Sequence, residues 1–220
     1  MEKPRQERAL RTRETILRAA ASVFDEYGYS GSSITRIMDR AGTTQGALYF
    51  HFKGKEDLAR AVINEQAAEL RLPQEPSGLD QLVEVTMYLA TEMQQNVLFR
   101  AGVTLAVEQG ELGLRDFSVY QMWIGQFRQE LAAAAARGEL LAGVDTTAAA
   151  ETLVAAYTGS QVMSQLFSKR ADLPMRIARL WRFLLPGIAV PEVATRLVRG
   201  LETAGTGSGA VTDAGAGAGA

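Results

Sequence analysis

Residues 33–52, SITRIMDRAGTTQGALYFHF, are the most informative stretch of the chain, because their pattern predicts two short helices joined by a tight turn. Ser33 is a residue type that commonly caps a helix N-terminus. Apolar residues then recur at the spacing of one helix face, at Ile34, Ile37, Met38 and Ala41. Gly42 tolerates the left-handed conformation that ends many helices, and Thr44 can cap the helix that follows. The pattern therefore predicts a helix-turn-helix.

The second helix, over residues 45–51, has an unusual composition for a surface element. It is short, contains a glycine and is rich in aromatic residues. Its small residues Gly46 and Ala47 would let its N-terminal end approach a phosphate backbone closely, as helix-turn-helix readers do in the major groove of DNA. The alternative is a helix hairpin that only packs two faces of a bundle, and periodicity alone does not separate these interpretations.

The distribution of charge favours the DNA-binding interpretation. Up to residue 55 the chain carries ten Lys or Arg against six Asp or Glu, and after it thirteen against nineteen. The formal net charge of −2 therefore combines a basic N-terminal region with an acidic remainder. This asymmetry is expected when one end of a protein contacts a polyphosphate and the other does not.

Several motifs carry a resemblance to a known family. Residues 28–62, GYSGSSITRIMDRAGTTQGALYFHFKGKEDLARAV, resemble the N-terminal domain of TetR-type transcriptional regulators, and this resemblance covers about residues 8–63. Five further segments are similar to the γ-butyrolactone autoregulator receptors of antibiotic-producing bacteria. They are MWIGQF from 122, GELLAGVD from 138, LVAAYTGSQVMS from 153, KRADLPMRIARLW from 169 and LLPGIAVP from 184.

The resemblance implies a regulator that binds double-stranded operator DNA and is released by a small lactone-like hormone, a γ-butyrolactone, butenolide or furan. No activation surface or polymerase-contact motif is evident in the sequence, so we expect a repressor. The resemblance also implies control of secondary-metabolite genes. One position departs from the family pattern, because this chain has Gln45 where the family often has Lys. The departure bears on base preference at that position.

Placement on and beside the second helix gives the candidate DNA-binding residues. We expect side chains at the groove from Gln45, Tyr49 and His51. We expect contacts to the phosphates from Thr35, Thr44, Lys53 and Lys55, with Gly46 and Ala47 close to the DNA backbone.

The candidate ligand-binding residues are Trp123, Thr158, Gln161 and Gln66. From the residues alone, a tryptophan in a helical bundle is a core residue, whereas the resemblance implies that Trp123 lines the ligand cavity. Thr158 and Gln161 are polar residues in an otherwise apolar segment, although a mid-helix hydroxyl such as that of Thr158 can also bond back to its own helix. Gln66 could point toward a ligand from the connecting helix, and the alternative is a solvated glutamine.

The whole chain predicts an all-α fold, since no alternating β-branched runs bounded by turn residues occur. Helices are predicted over residues 7–27, 34–41, 45–51, 55–72, 79–96, 98–109, 114–137, 145–169, 173–185 and 191–202. Residues 1–53 should form a three-helix helix-turn-helix domain and residues 54–202 a helical ligand-binding and dimerisation bundle. The Gly/Ala-rich tail, residues 203–220, should be disordered. Its GTGSGA segment lacks the flanking strand and helix of a phosphate-binding loop.

A homodimer is expected. The apolar residues of segment 153–168 cover more than one helix face, so a second face needs burial. The resemblance implies a four-helix interface built from residues 146–168 and 174–202 of each subunit. Two DNA-binding domains about 34–36 Å apart would then read a pseudo-palindrome.

Other classes of protein fit the sequence less well. The chain has one histidine and no cysteine, which argues against His- or Cys-rich metal sites and Cys–His catalysis. No spacing singles out a pair of catalytic carboxylates, so neither an enzyme nor a cofactor is expected. No apolar stretch approaches the 18 or so residues of a membrane span, and the arginine-rich start does not resemble a signal peptide, so we expect a cytoplasmic protein. A drug- or metabolite-responsive repressor and a helical ligand carrier without DNA binding remain the alternatives.

Overall fold

The computed structural model describes residues 3–110 and 117–206 of the chain. Their regular elements are helices: α1 Lys3–Gly31, α2 Ile34–Ala41, α3 Gln45–His51, α4 Lys55–Glu65, α5 Leu79–Gln95, α6 Val97–Glu108, α7 Ser118–Ala136, α8 Thr146–Ser168, α9 Leu173–Ile188 and α10 Pro191–Thr206. An isolated antiparallel bridge joins Leu140 to Ala189, and these two ranges contain no strand. The predicted all-α fold is confirmed.

The described residues divide into two compact units. The first unit takes its residues from Met1–Leu72 and Thr91–Met122, and in it α1 packs against α2, α3, α4 and α6. The second takes its residues from Pro73–Ala90 and Trp123–Ala220, and in it α9 packs against both α8 and α10. The helix-turn-helix therefore lies in the first unit.

Helix α1 is the centre of the first unit. Its buried stripe includes Ile16, Ala20 and Phe24, as the helical spacing predicted. The helix is interrupted at Gly28, where φ is 67° and ψ is 174°, a conformation that favours glycine. The regular helix thus ends where the sequence predicted, and the segment assigned to α1 beyond Gly28 is a separate turn.

Helix α4 is shorter than predicted, because it ends at Glu65 rather than near residue 72. The following residues form tight turns, in which the Ala68 N–H donates to the Glu65 carbonyl at 2.9 Å. Two features stabilise these turns. The Gln66 side chain is buried, and the Glu69 carboxylate forms an ion pair with Arg18 of α1 at 2.7 Å. These contacts end α4 although residues 66–72, QAAELRL, are of types with high helix propensity.

Buried carboxylates cap the start of α5 in the second unit. Glu130 of α7 accepts hydrogen bonds from the backbone N–H groups of Ser77 and Gly78 at 2.9 and 3.1 Å. Glu139 accepts one from the Leu79 N–H at 2.9 Å. The first N–H groups of a helix have no partner within the helix, and negative charge is favourable there. The two carboxylates therefore fix the end of α5 to α7 and to the turn after it.

Two boundaries near the C-terminus differ from the prediction. Helix α9 continues through Pro186 to Ile188, and α10 continues four residues past the predicted end at residue 202. The Thr203 hydroxyl donates to the Gly200 carbonyl at 2.9 Å, which supports the extra turn of α10. The rest of the predicted disordered tail, residues 207–220, and the predicted helix start at residue 114 lie outside the described residues.

Candidate DNA-binding surface and ligand-binding residues

The helix-turn-helix is built by the local capping groups that the sequence indicated. The Ser33 hydroxyl accepts a hydrogen bond from the Arg36 N–H at 3.2 Å and caps α2. Gly42 ends α2 in the left-handed region, with φ 61° and ψ 37°. The Thr44 hydroxyl accepts one from the Ala47 N–H at 3.3 Å and caps α3. The predicted bounds of both helices are therefore confirmed.

Apolar residues on the inner side fix α3 to the rest of the motif. Ile37, Leu48 and Phe52 are almost wholly buried. On the outer side, six of the candidate DNA-binding residues are exposed: Thr35, Thr44, Gln45, Gly46, Tyr49 and Lys53. The other three, Ala47, His51 and Lys55, are half-buried. Gln45 and Tyr49, one helical turn apart, thus share an exposed face of α3.

Phe50 is an exposed residue on α3 that sequence reasoning did not single out. Its side chain is 78% exposed, and its ring meets the edge of the His51 ring with centroids 4.9 Å apart. The available signal was its spacing, because Phe50 follows Gly46 by four residues and so lies on the same face. An apolar ring at this place can contact a thymine methyl group or a sugar.

Lys55 and Lys53 differ in their accessibility. The Lys55 ammonium lies 4.2 Å from the centroid of the Tyr29 ring, a cation–π geometry. Partial burial lowers the pKa of Lys55 from its usual value. The Lys53 side chain is exposed, while its backbone N–H donates to the Asp57 carboxylate at 2.9 Å. Of the two lysines that are predicted to contact phosphates, Lys53 is the more accessible.

Several basic residues of the N-terminal region are held by acidic partners. Arg13 donates to both carboxylate oxygens of Glu65, at 3.0 and 2.5 Å. Arg40 donates to the Ser22 hydroxyl at 2.6 Å and to the Glu26 carboxylate at 2.7 Å. The hydrogen bond from Arg40 to Glu26 lowers the pKa of Glu26. The charge available to DNA is therefore smaller than the sequence count indicated, and part of it joins α1 to α2 and α4.

Three of the candidate ligand-binding residues belong to the second unit. Trp123 is 9% exposed, and its ring centroid lies 6.1 Å from that of Phe127. Gln161 is buried and Thr158 is half-buried on α8. The burial of Trp123 agrees both with a core role and with the lining of a cavity.

Gln66, in the first unit, is buried, so its interpretation as a solvated glutamine is wrong. Its amide Nε2 donates to the Ile63 carbonyl at 3.0 Å, whereas its Oε1 has no hydrogen-bond partner in the part of the chain that the structure describes. The residue packs on Gly102 of α6, where an added Cβ would overlap the Gln66 side chain. Sequence reasoning missed this approach, because a glycine within a helix does not reveal which neighbour it faces.

An apolar surface lies on the second unit. It is formed by side chains of α8 and α9 that are exposed in the single chain: Val162, Met163, Leu166, Phe167, Met175 and Phe183. Leu166 and Phe167 are 74% and 72% exposed. Soluble proteins rarely leave several large apolar side chains exposed together unless they form an interface.

Residues 3–110 and 117–206 hold no group of three or more His, Cys, Asp or Glu side chains that could bind a metal ion. No helix of those ranges is both long enough and apolar enough to cross a membrane.

Family models match two parts of the chain. Residues 16–62 match the model of bacterial regulatory proteins of the tetR family, and residues 76–191 match the tetracyclin repressor-like C-terminal domain. The first match contains the helix-turn-helix, and the second contains Trp123, Thr158 and Gln161.

Individual proteins extend these matches. The A-factor receptor protein of Streptomyces griseus is 39% identical over 193 residues, which are 88% of this chain and 69% of that protein. The crystal structure of full-length tylp, a tetR regulator from Streptomyces fradiae, has 41% identity and a TM-score of 0.76 over 86% of this chain and 92% of that one. The crystal structure of a gamma-butyrolactone receptor described as ArpA-like has 30% identity and a TM-score of 0.67 over 90% and 98%.

Proposed function

The chain belongs to the TetR family of bacterial transcriptional regulators, and we propose that it is a repressor released from its operator by a lactone-type signalling molecule. The operator is pseudo-palindromic, the protein binds it as a homodimer, and the signal is a γ-butyrolactone, butenolide or furan. The likeness to the A-factor receptor and to a gamma-butyrolactone receptor supports this class of ligand. The controlled genes are those of secondary metabolism.

The exposure of one face of α3 is the observation that supports DNA recognition. Gln45 and Tyr49 project from a helix whose start is fixed by the Thr44 cap and whose inner face is anchored by Leu48. A helix held in this way can enter the major groove with its N-terminal end toward the bases. Residues 1–53 act as the DNA-binding domain, with Gln45, Tyr49 and His51 at the groove and Lys53 on a phosphate.

The apolar surface of α8 and α9 supports a homodimer. Burying Leu166, Phe167 and Phe183 against a second copy removes apolar area from water, at roughly 25 cal/mol per Å². A twofold interface uses the same patch on both subunits, and its symmetry gives the operator its pseudo-palindromic form.

Residues of the domain 54–202 bind the ligand. Trp123 and Phe127 offer large flat apolar faces that can cover a lactone or furan ring. Thr158 and Gln161 supply polar groups that orient such a ring.

Release from DNA requires the ligand to prefer one conformation. A ligand with equal affinity for both states shifts nothing, so the hormone binds better to a state in which the two DNA-binding domains are spaced wrongly for the operator. Helix α4 follows the recognition helix directly and ends beside Gln66, so it is the natural element to transmit the change. A coupling free energy of about 1–3 kcal/mol weakens operator binding by roughly 5- to 150-fold.

Substitutions on α3 test the DNA-binding surface. A duplex selected from a random pool by the wild-type protein serves as the operator. Lys53→Ala should weaken binding to all sequences about equally and reduce the slope of log affinity against log salt by roughly one unit, because one phosphate contact is lost. Gln45→Ala should instead relax base preference at one position of each half-site.

Arg128→Ala is the matched control, because it removes an exposed charge from α7 of the second unit. It should leave both the salt slope and the base preference unchanged. Wild-type affinity, salt slope and base preference in both Lys53→Ala and Gln45→Ala would contradict the assigned surface.

Repression is tested with a reporter fused to a promoter that the protein binds. Expression should rise when the gene for the protein is deleted, since a repressor acts by occupying the promoter. Lower expression in the deletion strain would identify an activator.

A further inference from the structure

One face of α8 is a buried stripe that includes a phenol. The stripe consists of Ala150, Leu153, Val154, Tyr157, Gln161 and Ser164. Tyr157 is 8% exposed, and its hydroxyl has no hydrogen-bond partner among residues 3–110 and 117–206. Burial raises the pKa of Tyr157, so the phenol stays protonated and keeps a proton to donate. A buried hydroxyl without a partner is uncommon in folded proteins, because desolvating it costs free energy.

At the other end of the same stripe, the hydroxyl of Ser164 has hydrogen-bond partners within the fold. The Ser164 hydroxyl donates to Asp172 at 2.5 Å, and the Ser168 hydroxyl donates to the same oxygen at 2.6 Å. Arg176 donates to the other oxygen of Asp172 at 2.8 Å. These groups satisfy one another within the fold, whereas the Tyr157 hydroxyl does not take part in any such network.

The polar neighbours of Tyr157 on α8 are uncharged. Gln161 follows by four residues, so it lies one turn away on the same face, and it is buried. Thr158 is adjacent and half-buried. A phenol, an amide and a hydroxyl can bind an uncharged oxygen, but they offer no positive charge to balance a buried carboxylate.

We propose that the Tyr157 O–H donates a hydrogen bond to the uncharged carbonyl oxygen of the ligand, and that the Gln161 amide makes a second contact beside it. The inference rests on the proposed function, and it adds the residue that recognises the carbonyl oxygen.

Calorimetric titration of two matched probes tests the proposal on the full chain. The probes are a synthetic γ-butyrolactone and the analogue in which the ring carbonyl is replaced by CH2. Wild-type protein should bind the analogue about tenfold more weakly. Tyr157→Phe should bind the lactone about tenfold more weakly than the wild type does and should discriminate little between the probes, because the hydroxyl and the carbonyl act as a pair.

Two further measurements accompany the titration. The melting temperature of Tyr157→Phe without ligand should equal or exceed that of the wild type, since the variant keeps the ring and removes an unpartnered hydroxyl. Tyr27→Phe, which removes an exposed hydroxyl in the first unit, should leave both affinities unchanged.

Each remaining outcome is decisive. Undiminished lactone affinity in Tyr157→Phe overturns the assignment of Tyr157 and leaves the proposed function standing. A melting temperature several degrees below the wild type shows that the hydroxyl has an internal partner, and it overturns the assignment as well. Failure of the wild-type protein to bind the lactone, or a butenolide or furan in its place, contradicts the proposed function, and the inference about Tyr157 fails with it.

Discussion

Arg100 of α6 and Asp25 of α1 form a two-point ion pair in the first unit. The Arg100 Nε and Nη2 atoms donate to the two carboxylate oxygens at 2.8 and 2.7 Å, and the side chains are only 17% and 21% exposed. The remaining guanidinium nitrogen donates to the carbonyls of Met93 and Gln94 at 3.4 and 3.1 Å. These carbonyls lie in the last turn of α5, where helical partners are lacking. One side chain therefore joins α1, α6 and the end of α5.

Arg100→Met should lower the free energy of unfolding by about 2–3 kcal/mol, because it leaves a largely buried carboxylate without its partner. Arg60→Met is the control, since the ion pair of Arg60 with Glu56 is solvent-exposed and contributes less than about 1 kcal/mol. Urea denaturation at one protein concentration measures both. Equal losses in the two variants would show that the Arg100 pair has no special role.

Gly102→Ala tests the close approach of α4 and α6. The added Cβ would overlap the Gln66 side chain and lie 2.8 Å from the Val62 carbonyl oxygen, which belongs to the backbone and cannot rotate away. We expect a loss of stability of about 1–3 kcal/mol and weaker operator binding, because α4 must shift. Gly200→Ala has no atom within 4 Å of the new Cβ, so it should be neutral or slightly stabilising. Wild-type stability in Gly102→Ala would mean that α4 and α6 are not in close contact.

Asp172 gives the stability of the second unit a dependence on pH. Hydrogen bonds from Ser164 and Ser168, and then from Arg176, lower the pKa of Asp172 to about 2. A carboxyl whose pKa is lower in the folded than in the unfolded state, where it is about 3.9, stabilises the fold above the unfolded value. That contribution disappears as the pH falls through the folded value.

Asp172→Asn should therefore be less stable than the wild type at neutral pH, and the difference should shrink as the pH falls from about 4 to about 2. Thermal unfolding across this range measures the difference. A difference that stays constant with pH would show that the Asp172 charge contributes nothing.

The sequence predicted best those elements whose signals are local. The bounds of α2 and α3 follow from Ser33, Gly42 and Thr44, and each of these residues acts through the backbone within a few residues of itself. Exposure of Gln45 and Tyr49 follows from the helical period once those bounds are known.

Features that depend on distant partners could not be predicted in this way. The end of α4 is set by Gln66 packing on Gly102 and by the ion pair of Glu69 with Arg18. The local sequence does not predict either contact, because both partners are distant along the chain. The same reason explains why counting charges overstated the basic surface, since Arg13 and Arg40 find their acidic partners only in the folded chain. Tyr157 was passed over because an apolar helix segment does not show which of its polar atoms lack a partner.

Release of the operator by a lactone can be measured by titrating a synthetic γ-butyrolactone into a preformed complex of the protein with labelled operator DNA. Fluorescence anisotropy of the DNA should fall with the wild-type protein, corresponding to a loss of affinity of roughly 5- to 150-fold. Trp123→Ala should still bind the operator but should lose the response, because it removes the surface that covers the ring. Release of Trp123→Ala at wild-type lactone concentrations would contradict the assigned ligand site, and a wild-type complex that no lactone, butenolide or furan releases would contradict the function itself.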